Sequence, residues 1–224
     1  MRDEMILIDK PAEMTSFGVV ARLRRVLSRE AGKKVKVGHT GTLDPFATGL
    51  MIIVTGKECK NAGHYTKLDK TYEATIRLGE SSTTGDPEGD ITPFDGPRPS
   101  REEIEAVLTK FRGNIEQRPP IFSAIKIDGK RAYKLARDGQ EVELPLRTIH
   151  IASLEILDYS YPELRIRTHV SSGTYIRSLA VDIGASLGTT AYCSQLRRLT
   201  VGEYDIKDAK TLADFGITDY KERQ

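Results

Sequence analysis

Within Val35 to Gly56, VKVGHTGTLDPFATGLMIIVTG, one carboxylate, Asp44, sits in a run punctuated by Gly38, Gly41 and Gly49 and followed by the apolar Leu50 to Val54. An aspartate in a glycine-rich loop is ordinarily a turn residue or cap, because its side chain bonds nearby backbone N–H groups. Two local features argue for more. Pro45 drives Asp44 out of the α region toward an extended conformation, and the glycines let another molecule approach the backbone closely. A carboxylate presented in this way could attack a small substrate as a hydrolase or phosphotransferase nucleophile, but such chemistry would want Mg²⁺ ligands. No paired carboxylates flank Asp44 to supply them.

Metal chemistry finds no other foothold. His39, His64, His150 and His169 show no paired spacing, and Cys59 and Cys193 form no CxxC pair. The N-terminus MRDEMILIDK lacks the apolar core of a secretion signal, and no apolar run approaches membrane-spanning length. A reducing, cytoplasmic setting is the expectation.

The elements that must carry Asp44 follow from periodicity. Met5 to Ile8 reads as a short strand, and Thr15 or Ser16 caps a helix whose apolar stripe is Val19, Val20, Leu23, Val26 and Leu27. Leu50 to Val54 reads as a buried strand. Thr71 to Leu78 alternates, placing Tyr72, Ala74, Ile76 and Leu78 on one side. Ser82 to Asp90 is a loop, and Ser100 to Glu103 is a capping box opening a helix that stops at Gly113. Arg118 to Arg147 reads as a basic excursion: a proline pair, a short strand, an Asp128-Gly129 turn, a short basic helix and a second glycine turn. Strands at Ile149 to Ile156 and Leu164 to Val170, a helix from about Thr174, and a strand near Ala191 to Val201 complete the chain. Strands with interspersed helices and hairpin-length turns predict an α+β fold with a mixed or antiparallel central sheet.

With 224 residues, 38% of them hydrophobic, the chain can bury one substantial core. Its 34 Lys and Arg nearly balance 32 Asp and Glu. The basic residues nonetheless cluster, from Arg22 to Lys36, from Lys126 to Arg137, and at Arg165, Arg167, Arg177, Arg197 and Arg198. If they share a face they make a phosphate-tracking surface.

The loop GHTGTLDPFATGLMIIVTGKECK resembles the signature of the TruB family, the tRNA pseudouridine-55 synthases, and Asp44 falls on that family's catalytic aspartate. LIDKPAEMTSFGVVARLRR, DKTYEATIRLG, FRGNIEQRPPIFSAIKIDGKRAYKLARDG, VSSGTYIRSLAVDIGASLG and LRRLTVG resemble further motifs of the family, in order, from about Ile6 to Val201. The resemblance implies a pseudouridine synthase fold, read as one catalytic domain over 1–224 with a basic insertion at about 112–147 and no PUA domain. It implies a monomeric enzyme that works on the T-arm of tRNA with neither cofactor nor metal.

It also implies roles. Asp44 would be nucleophile, or base in an elimination route, on a uridine flipped out of its stack. Arg177 would pair with Asp44 and keep it ionised. Tyr72 would stack on the flipped uracil and take a proton during rearrangement, with Leu196 on the base's other side. Asp86 would touch the target nucleotide, and His39 would enter the T-loop and stack where bases are displaced. Lys10 and Lys70 would position loops or RNA backbone, and Lys126, Lys130, Arg131 and Arg137 would meet tRNA phosphates. Glu13 stands where the family commonly has glycine, Thr83 where aspartate is common, and Gly18 where a polar residue is. The rival reading is a non-catalytic tRNA-binding or tRNA-folding module, which needs the basic clusters but no carboxylate opposite Arg177.

Overall fold

The computed structural model describes residues 4–123, 126–127, 130–131 and 144–218. In chain order its elements begin with β1 (Met5–Lys10), α1 (Ser16–Glu30), β2 (Val37–His39), β3 (Thr48–Thr55), α2 (Ala62–Thr66) and β4 (Lys70–Leu78). There follow β5 (Glu80–Ser82), β6 (Ile91–Pro93), α3 (Arg101–Lys110), β7 (Gly113–Gln117), β8 (Lys126–Ile127) and β9 (Lys130–Arg131). The rest are β10 (Arg147–Ser160), β11 (Glu163–Val170), α4 (Ile176–Ser186), β12 (Ala191–Val201) and β13 (Tyr204–Asp205). Two compact units result, one of Met1–Glu73 with Leu196–Gln224 and one of Ala74–Gln195. The chain passes between them inside β4 and inside β12.

In the first unit β3 is the organising strand. Its residues are buried from Gly49 to Thr55, so it reads as a continuous apolar run rather than an alternating one. It pairs antiparallel with β1, Met5 opposite Val54 and Lys10 opposite Gly49, and antiparallel with β2. With β12 it pairs parallel, Arg197 opposite Thr48, and this makes the sheet mixed, as expected for the α+β class. Leu50, Ile52 and Val54 pack with Val201 into one cluster. Each such side chain contributes roughly 1.5–3 kcal/mol on burial, so this strand firmly anchors the loop that precedes it. Helix α1 starts where the sequence places it, Thr15 accepting from the Gly18 amide at 2.9 Å, with Val19, Val20, Leu23 and Val26 buried.

Glu13 has φ +60°, the sole positive φ of a non-glycine among the described residues. This explains why its place suits glycine: a Cβ there crowds the carbonyl in the left-handed region. Glu13 is exposed, so its side chain recovers nothing by packing. Glu13→Gly is expected to raise stability by about 0.5–1 kcal/mol, the relief of strain less the entropy of glycine. Thermal melts of the two proteins check it; an unchanged midpoint would mean that the strain is absent in solution.

In the second unit β7, β10 and β11 pair antiparallel. Helix α3 carries both bonds of its capping box, between Ser100 and Glu103. The expected loop from Ser82 to Asp90 is narrower than its ends suggest, because Ser81 pairs with Thr92 and Ser82 with Ile91 to close it as a clip. Arg147 pairs with Gln117, which makes that rung the last of the β7–β10 ladder before the basic excursion. Arg118 Nη1 donates to the Leu144 carbonyl at 3.1 Å and ties its two ends together. Its short strand is the pair β8–β9; the Asp128-Gly129 turn, the basic helix and the second glycine turn lie outside the described residues. Helix α4 begins at Ile176, two residues after the expected start.

Candidate active site

Asp44 is half-buried in the connection between β2 and β3, and that connection is pinned at four points within its own unit. Ser16 Oγ donates to the Leu43 carbonyl and accepts from the Leu43 amide, each at 2.8 Å. Lys10 Nζ donates to the carbonyls of Met14 at 2.6 Å, Pro11 at 2.8 Å and Pro45 at 3.1 Å. Arg198 reaches the Leu50 carbonyl through Nε at 2.6 Å and the Gly41 carbonyl through Nη2 at 3.2 Å. Thr40 donates its amide to Ile52 at 3.1 Å. The residues on either side of Asp44 are therefore fixed by groups from β1, α1 and β12. Gly49, at the end of this loop, has φ +105°, and a Cβ on it would run into the backbone of Arg198, so both conformation and space demand glycine there.

These contacts place two of the residues named from the sequence. Lys10 is 0% exposed and donates its ammonium to its own chain's carbonyls, so it braces the loop. Lys70 is likewise buried, donating to the carbonyls of Thr66 at 2.8 Å and Leu68. Arg198, read only as part of a basic cluster, is 2% exposed and is the brace the sequence did not reveal. Nothing local distinguishes such a cation from a solvated one.

Burial, and next the Arg198 charge, push the Lys70 ammonium down to about 8 from 10.5. Below pH about 8 the lysine is protonated in both folded and unfolded chains, and the fold carries the full cost of burying it. Between about 8 and 10.5 the unfolded chain holds a proton that the folded one lacks, so stability rises with pH. The gain is about 3 kcal/mol at most. Urea melts across that window should show a rise in the wild type that is missing in Lys70→Met; parallel pH profiles would rule out Lys70 as its source.

Tyr72 and Leu196 occupy buried positions on β4 and β12. A buried tyrosine usually bonds its hydroxyl to a neighbour, yet the Tyr72 hydroxyl makes no hydrogen bond to any described residue. The hydroxyl is thus available to a bound molecule. His39 is half-buried on β2, opposite Ile53 of β3.

In the second unit the structure brings together Arg177 and Asp86, both sought from sequence but for different partners. Their side chains form an ion pair at 3.1 Å and are each 4% exposed. Arg177 also donates to the carbonyls of Thr84 at 2.9 Å and Phe122 at 2.7 Å. Asp86 accepts from Thr84 Oγ1 at 2.5 Å and from the Glu88 amide at 3.0 Å. A guanidinium with fixed acceptors on both terminal nitrogens has one orientation. Asp86 thus helps to orient Arg177.

Gln117 was missed altogether. It is buried at the end of β7, donates Nε2 to the Tyr175 carbonyl at 3.0 Å and accepts the Tyr175 amide at 2.8 Å. Tyr175 precedes α4 and offers no side-chain cap, so this tether from β7 sets where the helix bearing Arg177 begins. Ser178 adds a bond to the Arg118 carbonyl at 2.9 Å. A pocket of about 310 Å³ opens beside this network, bounded by Thr83, Arg118, Ile121, Val181 and Asp182, and burial pushes the Asp182 carboxyl up.

In the backbone register of β8 and β9, Lys126 is paired with Arg131 and Ile127 with Lys130. Arg137 lies outside the described residues. The third basic cluster does not form one face: Arg177 and Arg198 are internal, and Arg197 pairs with Asp9 at 2.7 Å. No group of His, Cys, Asp and Glu among the described residues could hold a metal ion, and none of their helices is long and apolar enough to cross a membrane.

A family model for TruB family pseudouridylate synthase, N terminal domain, matches residues 24–176, and one for the tRNA pseudouridylate synthase B C-terminal domain matches 177–223. The chain is 45% identical over 214 residues to tRNA pseudouridine synthase B of Phocaeicola vulgatus, across 95% of this chain and 91% of that one. It is 42% identical over 221 residues to the protein of the same name from Corynebacterium jeikeium, across 94% and 70%. Among solved structures, a Cbf5-Nop10-Gar1 complex matches with TM-score 0.71 at 30% identity over 94% of this chain. An H/ACA RNP bound to a substrate RNA containing 2′-deoxyuridine matches with TM-score 0.69 at 28% identity, again over 94% of this chain. The chain spans 52% and 51%, about half, of the matched chains in those two structures.

Proposed function

Because this chain belongs to the TruB family of pseudouridylate synthases and is a tRNA pseudouridine synthase, we propose that it isomerises the T-loop uridine, with Asp44 as the reacting carboxylate. The observation that carries this reading is the pinned loop: Ser16, Lys10 and Arg198 hold the backbone around Asp44 without engaging its carboxylate in those bonds. A reacting group fixed in this way loses little entropy when the substrate arrives.

In the reaction the bond from C1′ to N1 breaks, a bond from C1′ to C5 forms, the proton on C5 leaves to solvent, and N1 takes one up. Nothing is added or removed overall, so no co-reactant is consumed. The base must first leave its stack. Asp44 then serves as nucleophile at C1′ or as base in an elimination, and either route starts from the ionised carboxylate. Tyr72 offers a ring face on which a base can stack, worth roughly 1–3 kcal/mol, and a hydroxyl to receive the C5 proton. Leu196 supplies apolar surface, and Arg177, oriented by Asp86, supplies the cation that favours an ionised carboxylate. His39 and the basic excursion at Lys126, Lys130, Arg131 and Arg137 are assigned to the T-arm. The enzyme on this reading is a cytoplasmic monomer working without cofactor or metal.

The test is an unmodified tRNA transcript tritiated at C5 of its uridines, incubated with the protein in EDTA. Release of one tritium per tRNA, mapped to the T-loop by carbodiimide-dependent primer extension, is the expected result. Binding without release would put the tRNA-folding module first.

A further inference from the structure

The four arginines of α1, Arg22, Arg24, Arg25 and Arg29, are followed closely by Lys33, Lys34 and Lys36, and across Arg22 to Lys36 the sole carboxylate is Glu30. Among the described residues none of these seven cations takes part in an ion pair. Arg22 turns back on the Gly18 carbonyl at 3.4 Å, and Arg24 lies 5.9 Å from the centre of the Phe17 ring. Some arginines elsewhere find carboxylates: Arg77 meets Glu80 and Glu163, Arg112 meets Glu105, and Arg197 meets Asp9. Seven cations with one carboxylate among them make the α1 surface an unneutralised patch. At its start stands Phe17, 65% exposed and about two turns before Arg24, so ring and guanidinium share one side of the helix.

One exposed phenylalanine means little alone, and one run of charges is commonly a solvated face. Together they have the composition of a single-stranded nucleic-acid surface, cations for the backbone and an aromatic face for a base. We propose that the exposed side of α1 and the lysine-rich turn after it bind the RNA substrate. Arg24, Arg25, Arg29, Lys33, Lys34 and Lys36 take its phosphodiesters, and Phe17 stacks on one of its bases. None of these residues belongs to the Asp44 loop or to the basic excursion. It deepens the tRNA reading and rests on it.

Filter binding of a tRNA transcript over about 50–200 mM salt tests the surface, with turnover measured alongside. In the triple variant Arg24→Gln, Arg25→Gln, Arg29→Gln, the slope of log K against log salt should flatten by about 2–3, one counterion per lost phosphate contact. Its Kd should weaken about 10- to 100-fold while kcat at saturating tRNA stays within about twofold. Phe17→Ala should weaken binding about fivefold or more with the slope unchanged, because stacking releases no counterions. Should the triple variant fail to fold, Lys33→Gln, Lys34→Gln, Lys36→Gln carries the same test outside the helix. Wild-type slope and Kd in a folded variant overturn the proposal and leave a solvated face or a protein partner. A wild type that binds tRNA yet forms no pseudouridine overturns the catalytic reading instead, while the slope still decides the surface.

Discussion

Asp44→Asn is expected to bind tRNA as the wild type does and to form no pseudouridine, with turnover down at least about 10⁴-fold, the scale on which removal of a single reacting group operates. The amide keeps the shape of the carboxylate but has no charge with which to attack C1′ or remove a proton. The backbone bonds that shape the loop should survive the change. The bonds that shape the loop use the backbone of Gly41, Leu43, Asp44 and Pro45, and Ala47 donates to the Asp44 carbonyl at 3.2 Å. Tritium release under single-turnover conditions and filter binding on the same preparation measure both halves. Turnover within about a hundredfold of wild type would remove Asp44 from the chemistry. A folded variant that also loses tRNA would make the residue a binding group. A folding module would keep its function in this variant, so the same protein separates the two readings.

The parts of this molecule that could be read from its sequence are those whose cause is local. Thr15 before an apolar stripe, Ser100 with Glu103, and the alternation from Tyr72 to Leu78 each state an element within a few residues, and α1, α3 and β4 form there. Strand β10 runs further than its pattern, from Arg147 to Ser160, because β7 and β11 extend its ladder while two register shifts break its alternation. The start of α4 was misjudged for a related reason: its tether is Gln117 on a distant strand and not a cap in its own sequence. The site divides in the same way. Asp44-Pro45 among glycines could be noticed in one line of sequence, whereas Lys10, Lys70 and Arg198 look identical to surface cations until the chain folds over them. Their burial is a long-range fact, settled by which carbonyls they meet.

The pairing of Asp86 with Arg177 leads to the other large effect. Removing one member of a buried ion pair leaves the other charged and unpaired, a loss of about 3–5 kcal/mol, whereas replacing both with apolar groups of similar size is often close to neutral. Asp86→Ala should therefore cost about 3–5 kcal/mol in urea melts, since Arg177 would lose its buried carboxylate partner at 3.1 Å. Asp86→Leu combined with Arg177→Met should recover most of that stability and still form no pseudouridine. Stability and activity then part company, which a purely structural pair would not produce. A loss below about 1 kcal/mol in Asp86→Ala would place the pair in solvent and leave Arg177 unoriented. A stable double variant that converts uridine at the wild-type rate would take Arg177 out of the mechanism, because a methionine cannot hold a carboxylate in its charged form.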